Sequence, residues 1–140
     1  MELLNIAIAK GRISDEACQL FKEIGIGALP DVDSRKLIFA DEENEINYFH
    51  VKSVDVLTYV EKGIADLGIV GKDIILESEA DVYEIMDLGI GECRFAVAGL
   101  REQIISEQNQ PLRVATRYPQ VAKKYFAAKG QNIVPVKLNG

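Results

Sequence analysis

The sequence predicts an α/β fold built on a largely parallel sheet. Short apolar runs of strand length alternate with segments of helical periodicity along most of the 140 residues. Hydrophobic residues make up 48% of the chain and charged residues 27%, which is the balance of a globular domain. A chain of this length forms one domain or slightly more, and it buries enough surface to fold without disulfides or metal ions.

The first predicted strand spans residues 3–9, and a helix follows it. Apolar residues recur there at helical spacing from Ile13 to Ile24. Ser14 stands where a helix N-cap belongs, two acidic residues follow it, and Gly25 suits the C-terminal stop. This segment therefore predicts the first strand-to-helix unit.

Two strands and a second helix come next. The strands at residues 35–40 and 45–51 flank a polar turn of the hairpin type. A helix is predicted at residues 53–62, followed by a short strand at 66–71 and a short helix at 72–79.

The rest of the chain predicts further strands, a loop and one more helix. Residues 101–111 are polar and weakly patterned, which indicates a loop. Pro119 opens a helix that ends at Gly130, the expected placement of these two residue types. The predicted strands of this part are residues 82–87, 94–98, 112–116 and 133–138. Ligands of such sheets bind beyond the carboxyl ends of the strands, so the residues that follow each strand are the candidates for a site.

Charge and residue counts exclude several classes of function. Acidic side chains outnumber basic ones by 22 to 16, the opposite of the balance in a nucleic-acid binder. The two cysteines are too few for a disulfide framework. With His50 as the single histidine, a metal site held by the protein and a Ser-His-Asp triad are not expected either. The first residues do not read as a secretion signal, and no apolar run reaches the about 18 residues of a membrane span. We therefore expect a cytoplasmic protein with no membrane or nucleic-acid partner.

The motif Lys10-Gly11-Arg12 joins the end of the first strand to a helix N-terminus. Glycine lets the backbone approach a ligand closely, the helix start offers N–H groups, and two cations flank it. Phosphate binding is the functional interpretation, and ordinary solvated loop cations are the alternative.

Other strand ends carry weaker signals. Lys52 closes one predicted strand and Arg35 opens another, although lone cations at strand edges commonly serve only against aggregation. Gly71 and Asp73 form a tight turn after the strand at residues 66–71, without the glycine pattern of a Walker or dinucleotide loop. A sugar or base fits beside this turn, or else Asp73 simply caps the helix.

Taken together, these segments resemble the ATP phosphoribosyltransferase family, whose members catalyse the first step of histidine biosynthesis. The match runs in order over nearly all of the chain. The segments that carry it are Ile8-Ala9-Lys10-Gly11-Arg12, Asp33-Ser34-Arg35-Lys36-Leu37, Asp55-Val56-Leu57-Thr58-Tyr59-Val60-Glu61, Ala65-Asp66-Leu67-Gly68-Ile69-Val70-Gly71-Lys72-Asp73, Asp81-Val82-Tyr83-Glu84 and Arg113-Val114-Ala115-Thr116.

The resemblance implies a glycosyltransferase with two α/β lobes, like the type II periplasmic binding proteins. N1 of the ATP adenine attacks the anomeric carbon of 5-phosphoribosyl 1-pyrophosphate, with inversion and loss of pyrophosphate. The first lobe corresponds to residues 1–91 and the second to residues 92–140. The short form of the family works with a histidyl-tRNA-synthetase-like regulatory subunit in a hetero-octamer.

The resemblance also implies roles for individual residues. Arg12 and Arg35 are the expected catalytic residues, because a guanidinium grips the phosphates of the leaving pyrophosphate with two hydrogen bonds. Mg2+ is the expected cofactor, since it lowers the barrier to loss of the same group. The expected substrate-binding residues are Lys10, Gly11, Lys52, Asp66, Gly71 and Asp73.

The sequence departs from the family pattern in three ways, the first of which is Leu57, where proline is common. Lys52 stands where arginine is common, which puts one two-pronged phosphate contact in doubt. Family members continue past Gly140 with a loop that holds the ribose 5-phosphate, so we expect an incomplete second lobe and no turnover by this chain alone.

The sequence leaves one alternative function open and excludes another. A non-catalytic small-molecule binding or sensing domain of the same two-lobed fold is the alternative. A doubly wound receiver domain is rejected, because that class needs acidic residues after its first strand and this chain has Lys10 and Arg12 there.

Overall fold

The computed structural model describes residues 3–26, 37–100 and 111–139. The chain divides into two compact units, Met1–Ile75 with Glu79–Glu92, and Leu76–Ser78 with Cys93–Gly140. The lobe boundary that the resemblance implies, between residues 91 and 92, stays a prediction.

A four-stranded sheet with helices on its faces forms the first unit. Its strand order is β2-β3-β1-β4, with β1 parallel to β3 and β4, and β2 antiparallel to β3. The predicted hairpin and the largely parallel sheet are thus confirmed. The elements are β1 (Leu4–Ala9), α1 (Arg12–Glu23), β2 (Ile38–Asp41), β3 (Ile46–Val51), α2 (Ser53–Glu61) and β4 (Leu67–Ile69). Helix α3 (Lys72–Glu77) begins in this unit and ends in the second.

The central strand β1 buries side chains on both faces of the sheet. Ile6 and Ile8 pack into one core cluster, to which α1 also contributes. Ala7 and Ala9 pack into a second cluster with Val56 of α2. Because successive side chains of a strand point to opposite faces, α1 and α2 cover opposite sides of β1.

Helix α2 lies directly against β4 at a glycine. A Cβ atom at Gly68 would lie 2.8 Å from Val56 Cγ1 and 2.9 Å from Val60 Cγ2. The missing side chain therefore sets how closely this helix approaches the sheet.

The second unit contains a strand–helix–strand arrangement made of β5 (Leu112–Thr116), α4 (Pro119–Ala128) and β6 (Ile133–Lys137). The two strands pair in parallel, as predicted. Glu77 accepts hydrogen bonds from the backbone N–H groups of Gln120 and Val121, at 2.9 and 3.1 Å. Its carboxylate thus caps the N-terminus of α4.

The predicted N-cap of α1 is wrong. The helix begins at Arg12, Gly11 is its N-cap residue, and Ser14 lies within the first turn. The Ser14 side chain points into the core instead, where it is fully buried and meets His50. A local capping rule does not anticipate such a long-range contact.

The strands predicted at residues 82–87 and 94–98 are also wrong, since residues 78–100 contain no helix or strand. None of the strands in the described residues pairs with them, and apolar alternation alone does not hold a strand without a neighbour. Tyr83 is 96% exposed and Met86 72%. The predicted loop at residues 101–111 lies almost wholly outside the described residues.

Candidate functional site

Three parallel strands bring most of the predicted site residues to one edge of the sheet. Strands β3, β1 and β4 are neighbours that run in the same direction, so their carboxyl ends lie side by side. Lys52 follows β3, the Lys10-Gly11-Arg12 loop follows β1, and Gly71 and Asp73 follow β4. This edge is where ligands of open α/β sheets bind.

Gly11 has a backbone conformation that only glycine adopts easily, with φ 97° and ψ −154°. Its carbonyl accepts the Ser14 N–H at 2.8 Å, which starts α1. No atom of the described residues, chain neighbours apart, lies within 4 Å of the place where a Cβ would stand. The N–H groups of Arg12 and Ile13 belong to the first turn, whose donors a helix does not satisfy itself. This backbone is therefore open to an anion.

Lys10 and Lys52 stand on adjacent loops that are hydrogen-bonded to each other. The Lys10 N–H donates to the carbonyl of Val51 at 2.9 Å, one residue before Lys52. Both lysines and Arg12 are exposed. Three cations therefore follow neighbouring strand ends in a chain whose net charge is −6.

A carboxylate holds the Arg12 side chain. Arg12 Nε lies 3.5 Å from one oxygen of Glu16, one helical turn along α1. The other oxygen accepts the backbone N–H of Gly91 at 2.6 Å. Glu16 thereby anchors both the guanidinium and the segment that contains Gly91.

Gly71 lies between β4 and α3, and Asp73 lies in the first turn of α3. A side chain on Gly71 would collide with the Asp73 carboxylate, so the glycine is what lets that carboxylate sit over the turn. The neighbouring Lys72 forms an ion pair with Glu84. This turn therefore offers a carboxylate beside the cationic loops.

The structure places Asp66 away from the other predicted site residues. Asp66 precedes β4, and its carboxylate accepts hydrogen bonds from the N–H and side-chain amide of Asn5, at 2.8 and 3.2 Å. Asn5 lies near the start of β1, about 16 Å from Lys10 at roughly 3.3 Å per residue. The Asp66 carboxylate therefore joins the residue before β4 to the start of β1, at the edge of the sheet opposite to Lys10. Arg35 lies outside the described residues.

One buried contact behind the loops escaped the sequence analysis. Ser14 Oγ and His50 Nε2 are joined by a hydrogen bond of 3.0 Å, and the two residues are 0% and 2% exposed. Burial lowers the pKa of His50, and the nearby charge of Lys10 lowers it further, against an opposing effect of Asp15. These effects favour the neutral form of the imidazole in the folded chain. The apolar setting of His50 in its strand was the one signal for a core residue.

Within residues 3–26, 37–100 and 111–139, no group of three histidine, cysteine or acidic side chains is arranged to hold a metal ion. The helices of these same ranges include none that is long and apolar enough to cross a membrane.

Comparison with known proteins identifies the family. The family profile described as HisG, ATP phosphoribosyltransferase, matches residues 52–140. An ATP phosphoribosyltransferase of Clostridioides difficile is 61% identical over the whole of this chain, which covers 67% of that protein. The chain belongs to the ATP phosphoribosyltransferase family.

Further relatives agree with this assignment. The ATP phosphoribosyltransferase of Clostridium novyi is 47% identical, and this chain covers 68% of it. Among solved structures, the ATP phosphoribosyl transferase (HisG:HisZ) complex from Thermotoga maritima aligns with a TM-score of 0.71 and 26% identity. That alignment covers 99% of this chain and 65% of the solved chain. The chain thus spans about two thirds of these relatives, and the predicted family and α/β fold class are confirmed.

Proposed function

We propose that this chain forms the matched part of an enzyme that condenses ATP with 5-phosphoribosyl 1-pyrophosphate, giving N1-(5-phosphoribosyl)-ATP and pyrophosphate in the first step of L-histidine biosynthesis. The observation that carries the proposal is the 61% identity with an ATP phosphoribosyltransferase over the whole chain. The cations at the carboxyl edge of the sheet support it, because both substrates are polyphosphates. A sensing domain for an uncharged ligand would not need these cations.

The reaction is a displacement at the anomeric carbon of the ribose. The bond from adenine N1 to this carbon forms as the bond to the pyrophosphate oxygen breaks, and the electron pair of that bond leaves with pyrophosphate. Negative charge grows on the leaving group while the carbon becomes cationic. Fixed cations aimed at the leaving group lower this barrier, because they need no reorganisation as the charge develops.

The positions of the side chains support the following proposed roles. Arg12 binds the leaving pyrophosphate, with Lys10 and Lys52 adding positive charge from the adjoining loops. The N–H groups after Gly11 bind a phosphate oxygen at the start of α1. Asp73, whose carboxylate lies beside Gly71, faces the nucleoside. We leave Asp66 out of the proposed site, because its carboxylate is engaged with Asn5.

Arg35 keeps the leaving-group role that the family resemblance implies. The support for this role is the segment Asp33-Ser34-Arg35-Lys36-Leu37, which matches the family motif.

The residues near the cations suit Mg2+ only as part of a substrate. Mg2+ is commonly bound by one or two carboxylates together with substrate phosphates, and Asp73 offers one such carboxylate at the same edge. We therefore propose that Mg2+ reaches the site on the polyphosphate, where it neutralises charge on the departing pyrophosphate.

The proposed partner is a histidyl-tRNA-synthetase-like regulatory subunit in a hetero-octamer. The support is the solved HisG:HisZ complex from Thermotoga maritima, whose chain aligns with 99% of this one. We place the enzyme in the cytoplasm, because ATP and phosphoribosyl pyrophosphate are made and consumed there.

The test is product formation from the two substrates. The chain alone is assayed beside a chimera in which residues 1–140 are joined to the part of the Clostridioides difficile relative that they do not match. We expect the chimera to release pyrophosphate and N1-substituted ATP in equal amounts.

The intact Clostridioides difficile protein serves as the positive control. If it turns over while neither the chain nor a folded chimera yields product, the proposed function is wrong. Pyrophosphate without the N1-substituted product would show hydrolysis in place of transfer and would also contradict the proposal.

A further inference from the structure

The contact between Ser14 and His50 is unusual for its position in the core. Among the residues that the structure describes, these two are the buried polar ones. Burying polar groups is unfavourable unless they bond to each other, and two apolar residues of similar size would fill the same space. The proposed chemistry uses neither side chain directly, so the pair invites another explanation.

The pair links the two elements that carry the proposed phosphate contacts. Ser14 lies in the first turn of α1, two residues after Arg12. His50 lies near the end of β3, two residues before Lys52. The backbone of the same region is already tied by the Lys10 N–H bond to Val51. The side-chain bond adds the helix itself to this connection.

A hydrogen bond fixes geometry that apolar packing leaves less defined. Packing holds α1 near the sheet, but a directional bond of 3.0 Å also fixes the rotation of the helix about its axis. The ring of Phe39 meets the imidazole edge-on with centroids 5.3 Å apart, which holds the ring of His50 in place. The direction of the Arg12 side chain and of the first-turn N–H groups depends on that rotation.

We propose that His50 is a positioning residue, which orients the Lys10-Gly11-Arg12 loop for pyrophosphate through its hydrogen bond to Ser14. This inference rests on the proposed function, because it takes the loop to be the pyrophosphate site. His50 touches no substrate and exchanges no proton with one. Its role is to keep the two cationic loops in a fixed relative position.

The first experiment uses the 140-residue chain itself and pyrophosphate as the probe. His50 is the one histidine of the sequence, so its imidazole 15N and 1H NMR signals need no assignment. We expect these signals to shift when pyrophosphate binds, although the ring is buried. Binding without any change at the imidazole would overturn the inference, and absence of binding would instead contradict the proposed site.

The second experiment measures pyrophosphate affinity in variants. Ser14→Ala and His50→Leu should raise the Kd about tenfold, the lower end of what loss of a supporting hydrogen bond costs a metal site. His50→Gln keeps a polar atom near the position of Nε2 and should restore most of the affinity. Phe21→Leu is the control, since this residue packs against the core from the last turn of the same helix, away from Ser14.

The pattern across these variants separates positioning from general destabilisation. A positioning role predicts that Phe21→Leu lowers thermal stability and leaves the Kd unchanged, whereas Ser14→Ala raises the Kd. Equal Kd values for wild type, Ser14→Ala and His50→Gln would overturn the inference. If His50→Leu does not fold, Ser14→Ala and the imidazole signals of the wild type still decide the question.

Discussion

Replacing Arg12 by alanine should lower kcat strongly while the fold stays intact. The Arg12 side chain is 70% exposed, and its ion pair with Glu16 has an N···O distance of 3.5 Å. Such exposed pairs contribute only about 0–1 kcal/mol to the free energy of unfolding. Glu16 also keeps its hydrogen bond to the N–H of Gly91, so the segment it anchors stays in place.

The expected loss in turnover is much larger than the loss in stability. Removing one fixed donor to a developing negative charge raises the barrier by about 2–4 kcal/mol. At roughly 1.36 kcal/mol for each factor of ten, kcat should fall about 30- to 900-fold. Arg12→Lys should lie between wild type and Arg12→Ala, because lysine keeps the charge but not the two-pronged geometry.

The assay is pyrophosphate release by the chimera, with thermal unfolding of the same samples. Lys22→Ala is the matched control, since it removes a cation from the last turn of the same helix. It should leave kcat within about twofold of wild type, because surface changes away from a site have small effects. Near-normal turnover by Arg12→Ala would refute the leaving-group role.

Three further predictions concern packing, pH and capping. Gly68→Ala should lower the free energy of unfolding in urea by about 1–3 kcal/mol, because the new methyl group overlaps Val56. In His50→Gln, the free energy of unfolding should fall less steeply than in the wild type as the pH drops below 6.5. The pKa of His50 is lowered in the folded chain, so the unfolded chain binds a proton at a higher pH than the folded chain does. Each pH unit in that range then lowers the free energy of unfolding by up to about 1.4 kcal/mol. Glu77→Ala should cost about 0.5–2 kcal/mol by removing the cap on Gln120, measured by thermal unfolding.

Each of these has a result that would contradict it. Gly68→Ala should be rescued in part by Val56→Ala, and full stability of the single variant would mean that α2 does not approach β4 this closely. An unchanged pH slope in His50→Gln would place the titration on other groups. Glu77→Gln should lose less than Glu77→Ala, and equal losses would argue against hydrogen bonding as the cause.

The order of strands and helices in the first 77 residues was predictable because their pattern is local. Apolar spacing and the turn residues identify these elements, and the hairpin before α2 follows from its polar turn. The strands predicted at residues 82–87 and 94–98 are absent from the structure, because strand formation depends on a partner that is distant in sequence. Alternation shows which face a strand would bury, but pairing depends on a neighbour that the pattern does not contain.

The site was predictable in part for a similar reason. The shared location of Lys10, Gly11 and Lys52 was predictable because residues after parallel strands lie at one edge of the sheet. The location of Asp66 was not predictable in this way, since β4 separates it from Gly71 although the two are close in sequence.

The bond between Ser14 and His50 joins residues 36 positions apart. It depends on the parallel pairing of β1 with β3, in which Ile8 lies opposite His50. No spacing rule within a single helix or strand contains that register. The contact therefore had to come from the structure.

The most direct test of the account is a map of the backbone amides that respond to pyrophosphate. The 140-residue chain is titrated with pyrophosphate and its amide 1H–15N signals are followed. We expect the largest shifts at residues 10–14 and 52–55, with little change at Asn5 and Asp66 on the opposite edge. Shifts concentrated at that opposite edge, or no saturable shifts at all, would contradict the claim that the carboxyl edge of the sheet binds the leaving group.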